Sequence, residues 1–227
     1  MSIIIPAFNE EDSIGILIDW IYNSSFAWDF ETIVVDDGST DKTAEIVREK
    51  MAKYPRLRFS RLPRNTGKAA AIQRGLKFAI GNIIVFQDAD LEYFPKNIPS
   101  LVTPIMNREA AVVYGSRFKG YIGSMRPSHR FGNKFLTLAT RILFNIRTTD
   151  METGYKAFRR DIIDRIEITA NGFLMEPEIT VKISFLGYSI LEVPIDYHER
   201  RKGFKKISWR DGILSFVWLL KFRIFNR

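Results

Sequence analysis

Short apolar runs alternating with stretches of helical period constrain this chain more than any other feature. Ser2-Ile3-Ile4-Ile5-Pro6 reads as a short buried strand, and residues 31–35, 57–59 and 82–85 read as three more. A helix through Ile14, Leu17, Ile18 and Ile21 follows the first strand, with Asn9 as its N-cap and Glu10, Glu11 and Asp12 in its first turn. A second helix carries Ala44, Ile46, Val47 and Met51, and a third carries Ala70, Ala71, Ile72, Leu76 and Phe78. Strands and helices in this order build an α/β domain around a mainly parallel sheet. Ligands then bind beyond the carboxyl ends of the strands.

Acidic residues gather at those ends. The second strand runs into Asp36-Asp37-Gly38-Ser39-Thr40-Asp41, and the fourth into Asp88-Ala89-Asp90-Leu91-Glu92. In extended chain, Asp88 and Asp90 leave on one side, and Glu92 follows if the chain stays extended. Neighbouring carboxylates repel, and burying them is costly unless a cation joins them. A hard divalent ion, which takes one or two carboxylates plus substrate phosphates, answers both problems; a polar turn after a strand is the plain alternative. Two phosphate loops are excluded. Leu62 stands where a Walker A loop needs glycine, Ala69 stands where it needs Ser or Thr, and no G-x-G-x-x-G follows the first strand.

The chain of 227 residues suffices for one domain with a full core, and 46% hydrophobic residues argue against disorder. A net charge of +8 favours a polyanionic partner. The absence of cysteine excludes disulfides, zinc thiolates and thiol nucleophiles, and the two histidines are too few for a histidine metal cluster. With a strand starting at Ser2 and no apolar stretch long enough to span a bilayer, the expected location is cytoplasmic, without a signal peptide.

The second half changes character. Residues 111–149 contain no acid but hold Arg117, Lys119, Arg126, Arg130, Lys134, Arg141 and Arg147. Solvated surfaces normally mix both signs, so this stretch argues for an anionic ligand. Residues 129–146 have helical period, with Arg130, Lys134 and Arg141 on one face and Phe131, Phe135, Leu138, Ile142 and Ile146 on the other. Such a basic amphipathic helix suits a membrane surface, and its apolar face suits core packing equally well. Residues 188–195 read as an edge strand because they hold Pro194. Arg200-Arg201-Lys202-Gly203-Phe204-Lys205-Lys206 is a basic loop able to close over phosphates. Residues 208–227 read as a helix with two apolar ridges: Trp209, Ile213, Phe216, Leu220 and Ile224 on one, Leu214, Trp218, Phe222 and Phe225 on the other. Two ridges need two apolar neighbours. One is the domain, and the other is lipid or protein, with Lys221, Arg223 and Arg227 suited to anionic headgroups.

The ordered set Ser2-Ile3-Ile4-Ile5-Pro6-Ala7-Phe8-Asn9-Glu10, Val35-Asp36-Asp37-Gly38-Ser39-Thr40-Asp41, Arg64-Asn65-Thr66-Gly67-Lys68, Asp88-Ala89-Asp90-Leu91-Glu92, Gly115-Ser116-Arg117-Phe118 and Gly154-Tyr155-Lys156 resembles the inverting family 2 glycosyltransferases of GT-A (Rossmann-like) fold. Within them it is most similar to the dolichol-phosphate mannose synthase branch, which transfers a sugar from a nucleotide sugar to a polyprenyl phosphate. The resemblance implies one catalytic domain over residues 1–227: a nucleotide-sugar half at 1–118, an acceptor half at 119–207 and an interfacial helix at 208–227. It implies that Pro6, Phe8, Glu10, Asp36 and Asp37 border the nucleotide, with Lys68, Arg200 and Lys206 on the donor. Asp88 and Asp90, with Glu92 as a further ligand, would hold Mg²⁺ or Mn²⁺. Asp90 would act in catalysis together with Arg117 and Arg130, which would meet the acceptor phosphate. The implied partners are a nucleotide sugar such as GDP-mannose or UDP-glucose, a polyprenyl or dolichyl phosphate, and an anionic membrane touched peripherally on its cytoplasmic face.

A phosphomonoester is already largely ionised at neutral pH, its second pKa being about 6, so it needs positioning cations rather than a base. Asp150 and Glu152 remain candidates for a base or for orienting the sugar. The rival readings are a family 2 transferase acting on a saccharide hydroxyl and a catalytically silent nucleotide-sugar-binding adaptor at the membrane. Nucleic-acid binding is not expected, since no aromatic-basic recognition module is present.

Overall fold

The computed structural model describes residues 1–170, 172–200 and 209–225. Lys206 and Arg227, with the rest of the basic loop after Arg200, lie outside the described residues.

The strands are β1 (Ser2–Ala7), β2 (Glu31–Asp36), β3 (Leu57–Arg61), β4 (Ile83–Phe86), β5 (Val112–Ser116), β6 (Ile122–Ser124), β7 (Lys156–Arg159), β8 (Leu191–Pro194) and β9 (Tyr197–His198). The helices are α1 (Ile14–Asn23), α2 (Thr43–Lys53), α3 (Lys68–Phe78), α4 (Ile98–Met106), α5 (Pro127–Phe144), α6 (Arg160–Ile163), α7 (Met175–Phe185) and α8 (Trp209–Phe225). The main sheet has the order β3-β2-β1-β4-β7-β5-β8, and a small second sheet pairs β6 with β9. In the main sheet every pair is parallel except those of β7, which runs antiparallel to both β4 and β5. The expected α/β class and mainly parallel sheet are therefore observed, and the proline-bearing β8 lies at an edge.

Successive strand residues feed opposite faces. Ile3, Ile5, Val34, Val85 and Ala157 pack with α1 and α4 residues such as Leu17, Ile18 and Leu101. Ile4, Ile33, Ile84, Phe86 and Phe158 pack on the other side with Ile72 of α3, Ile162 of α6 and Ile179 of α7. Both faces of the sheet are covered, which is why its strands read as continuous apolar runs rather than alternating ones.

A third cluster, Phe144, Ile146, Val181 and Leu219, joins α5, α7 and α8. Here the structure bears on the two readings of the basic helix. The side of α5 that packs inward carries Asn133, Leu136, Thr137, Thr140 and Phe144. The apolar stripe faces outward instead: Phe131 is 75% exposed and Ile142 74%, and Phe135 and Leu138 are also exposed. Core packing thus does not account for that stripe; only Ile146, just past the helix end, is buried. On α8, Trp218 and Phe222 stack on each other, and Phe222 meets Phe144 and Phe185. Leu219, absent from both expected ridges, is the fully buried anchor, while Ile213, Leu220 and Ile224 face out. Among the described residues, no helix is long and apolar enough to cross a membrane.

The α1 entrance also differs. Asn9 has φ 53° and lies before a turn, so it does not cap the helix, which starts at Ile14. Its side chain instead accepts the Thr40 N–H at 2.8 Å, joining the end of β1 to the turn after β2.

Candidate active site

The carboxyl ends of β1, β2 and β4 lie side by side, so the residues following them form one acidic rim. After β2, buried Asp36 accepts the Ser39 N–H at 2.8 Å and pairs with Arg61 Nε at 3.1 Å. Asp37 accepts the N–H groups of Thr66 at 2.8 Å and Gly67 at 2.7 Å. Burial raises its pKa, those two N–H groups oppose the rise, and Asp36 adds to it. Gly38 lets the two loops meet, since a Cβ there would lie 2.6 Å from the Arg64 carbonyl carbon. Asp37 thus fixes the 64–67 loop and, with it, the start of α3.

Pro6 is half-buried at the end of β1, and Phe8 is 39% exposed beside the rim. Glu10 is buried, where it accepts the Ser13 hydroxyl at 2.7 Å and pairs with Arg200. Arg200 also donates its backbone N–H to Glu92 at 3.1 Å. It thereby ties the second half of the chain to the ends of both β1 and β4.

Beyond β4, Lys68 at the start of α3 contacts Asp88 at 2.7 Å and Glu176 of α7 at 3.2 Å. Burial disfavours the ammonium, but Asp88 and Glu176 outweigh it and hold the Lys68 pKa above the usual lysine range. Asp90 is buried and accepts the Glu92 N–H at 3.2 Å. Glu92 accepts the Tyr197 hydroxyl at 2.9 Å. Burial, then the charge of Asp90, pushes its carboxyl up to about 7. The chain does not stay extended here: Leu91 has φ 63°, and among the described residues no three carboxylates or imidazoles converge as a ready-made metal cage.

The arginines expected at the acceptor part company. Arg117 is buried, and it grips Asp150 with Nε at 2.7 Å, Nη2 at 2.6 Å and its backbone N–H at 2.9 Å. Its guanidinium also lies 5.3 Å from the centre of the Tyr197 ring. Arg130 stands exposed in the first turns of α5. Asp150 is therefore the partner of Arg117. Glu152 is the carboxyl left over: its Oε1 is buried without a hydrogen-bond partner, and burial, then Glu176, push its pKa up to about 8 against the pull of Lys156 and Arg117.

Two residues outside the expected set belong to this site. Lys156 of β7 is fully buried and ion-paired with Glu176, which also holds Lys68. Lys156 stood in a recognised run of residues, but nothing in its spacing signalled burial. Glu176 reads locally as an ordinary acid in the first turn of a helix.

The site thus offers two carboxylates at a strand end, lysine and arginine nearby, and a basic helix that begins beside it. That is equipment for binding a phosphorylated ligand and stabilising charge on it.

Comparison with known proteins agrees. The family model described as Glycosyl transferase family 2 matches residues 2–167. A dolichol-phosphate mannosyltransferase of Pyrococcus furiosus is 33% identical over 92% of this chain and 59% of its own length, so the chain spans about three fifths of that relative. The dolichyl-phosphate beta-glucosyltransferase ALG5A of Trichomonas vaginalis is 30% identical over 100% of this chain and 74% of its own length. Among solved structures, a Pyrobaculum calidifontis mannosyltransferase in complex with GDP-Man and Mn²⁺ has a TM-score of 0.73 at 22% identity, over 100% of this chain and 64% of that one. Glucosyl-3-phosphoglycerate synthase of Mycobacterium tuberculosis, with Mn²⁺, UDP-glucose and phosphoglyceric acid, has a TM-score of 0.74 at 24% identity, over 98% and 79%. The two structures share this fold, and the family match spans most of the acidic rim: the chain belongs to glycosyltransferase family 2.

Proposed function

We propose that this chain transfers a hexose from a nucleoside diphosphate sugar to a polyprenyl phosphate, with inversion, on the cytoplasmic face of a membrane. The observation that carries this reading is where α5 begins. The Glu199 carboxylate accepts the Arg126 N–H at 2.5 Å and pairs with His129 at 2.8 Å, and the next residue, Arg200, is bonded to Glu92 and Glu10. The acceptor helix therefore starts against the acidic rim and runs away from it with Phe131, Phe135, Leu138 and Ile142 exposed. A lipid phosphate lying along α5 would place its charge near the site and its chain along that stripe. Arg130, Lys134 and Arg141 would face the anionic surface. The curated relatives named for dolichyl phosphate support the same acceptor class.

In this reaction a phosphate oxygen of the acceptor attacks the anomeric carbon. The bond from that carbon to the diphosphate breaks, and the nucleoside diphosphate leaves with the electron pair. The acceptor is already ionised, so no side chain has to remove a proton from it. Lys68, Arg200 and Lys206 would meet the donor diphosphate, with Pro6, Phe8, Glu10, Asp36 and Asp37 around the nucleotide. Arg130 would position the acceptor. Arg117 would act by holding Asp150 and the wall of the site.

The residues fit a divalent ion. Asp88 and Asp90 stand close enough to Glu92 that their charges help keep its carboxyl near neutrality, so this donor set calls for a cation. Since Glu92 is engaged by Tyr197 and Arg200, the ion would draw its remaining ligands from phosphate and water. Mg²⁺ or Mn²⁺ held there would supply neutralising charge for the departing diphosphate.

Glu152 favours a second reading, a hydroxyl acceptor, because a carboxyl raised to about 8 suits a base near neutral pH. One panel separates the readings: UDP- and GDP-sugars, each with a short polyprenyl phosphate or free saccharides, on vesicles with and without anionic lipid. Transfer to the lipid phosphate on anionic vesicles, weakened but not abolished by high salt, is the expected result. Transfer only to saccharides selects the second reading, and nucleotide binding without transfer selects the silent adaptor.

A further inference from the structure

The two-lysine, two-carboxylate chain that ends on Asp88 has a geometry that metal binding alone does not explain. Lys156 Nζ is fully enclosed by Glu176 and the carbonyl oxygens of Met151 and Thr153, with the Tyr114 ring centre 4.6 Å away. The Oε2 atom of Glu176 is thereby anchored, and its Oε1 is offered to Lys68. Lys68 is more accessible, with 29% of its side chain exposed, and it spans Glu176 and Asp88. Gly154 closes on this pair, because a Cβ there would lie 2.1 Å from Asp88 Oδ2 and 3.1 Å from Lys68 Nζ. Asp88 and Lys68 are therefore packed together beneath the Gly154 backbone, and Lys68 has a second, fixed carboxylate to retain it.

We infer that Lys68 is a resident counter-cation that competes with the divalent ion for Asp88, and that Glu176 retains Lys68 when it yields. A dication approaching Asp88 alone meets an ammonium group 2.7 Å from the carboxylate. A donor diphosphate changes the balance: it brings anionic oxygens that take up Lys68 and the ion together. Ion binding is then strong only with the donor in place. Lys68 and Glu176 are positioning residues in this scheme, and the inference rests on the reading of Asp88 and Asp90 as the ion's ligands.

The test is a titration of the full chain with Mn²⁺, followed by electron paramagnetic resonance of the free ion, without nucleotide and with UDP or GDP. Wild type should bind Mn²⁺ more tightly when the matching nucleotide is present. Lys68→Met should bind it about tenfold more tightly without nucleotide, the scale of one relieved cation–cation contact near a surface, and should gain less from nucleotide. Lys68→Arg, which keeps the charge, should stay close to wild type. Glu176→Gln should weaken nucleotide-free binding, since Lys68 then leans on Asp88 alone.

Unchanged or weaker nucleotide-free binding in Lys68→Met overturns the competition, and it does so without touching the metal assignment if Asp90→Ala loses the ion. Failure of wild type to bind Mn²⁺ with either nucleotide overturns both.

Discussion

The acidic rim of the first half and the basic stretch of the second half use charge differently. In the first half, carboxylates sit at strand ends and are held by backbone N–H groups: Asp37 by Thr66 and Gly67, Asp36 by Ser39. In the second half, cations that look available for a ligand are engaged by carboxylates of other segments. Arg117 holds Asp150, Lys156 holds Glu176, and Arg200 reaches back to Glu10. A strand end displays its charge by topology alone. An irregular segment does so only after its internal pairs are made, so exposure separates Arg130 from Arg117 where charge does not.

The sharpest way to break this comparison is at the rim. Asp90→Ala should lower sugar transfer roughly a thousandfold, the size of several kcal/mol of lost transition-state stabilisation, while the thermal melt stays near wild type. Near-normal turnover in chelator would remove the metal reading and leave the rim as a polar turn.

A smaller effect should separate the two arginines. Arg117→Ala leaves Asp150 buried without its cation and should cost about 3–5 kcal/mol of stability. Arg130→Ala, at an exposed position, should stay within about 0.5 kcal/mol and raise the KM for the lipid phosphate instead. Urea unfolding and acceptor kinetics on both variants decide it. If Arg117→Ala proves as stable as wild type, its grip on Asp150 is replaceable and the contrast between the halves weakens.

The smallest effect concerns Glu152. Its folded pKa, about 8, lies above the unfolded value near 4.5, so the unfolded state loses its proton first. The stability it contributes is full below about pH 4.5 and is lost as pH rises through about 8. Glu152→Gln imitates the protonated form. Its melting temperature should match wild type near pH 5 and exceed it by a few degrees near pH 8.5. A constant difference across that range would show that Glu152 is ionised throughout and free to act as a base.

Most of the fold was legible because its signals are local. Residues 31–35 and 82–85 are apolar runs of strand length, and Pro194 marked an edge. The acidic rim was legible for the same reason, since Asp88 and Asp90 follow directly from a strand. The direction of the α5 stripe was not, because periodicity shows that Phe131 and Ile142 share a face without showing what that face meets. The Asn9 cap failed because Thr40, brought alongside by the sheet, competes for its side chain. Glu176 and Lys68 lie on helices of different halves, and their contact exists only once the sheet is assembled.

The position of β7 also governs how the protein comes into being. On a ribosome, β1 to β4 emerge first, yet one flank of β4 waits for β7, and β5 waits for the same strand. Until β7 arrives, β4 carries an open row of unpaired peptide groups beside an apolar face, a template for pairing with another nascent chain. Non-local pairing of this kind slows folding and prolongs that exposure. The strand that fills this gap also brings in Lys156, the buried cation that anchors Glu176 behind Asp88. The rim therefore lacks that electrostatic backing until β7 has filled the gap, and a chain stalled before β7 is at once sticky and inert.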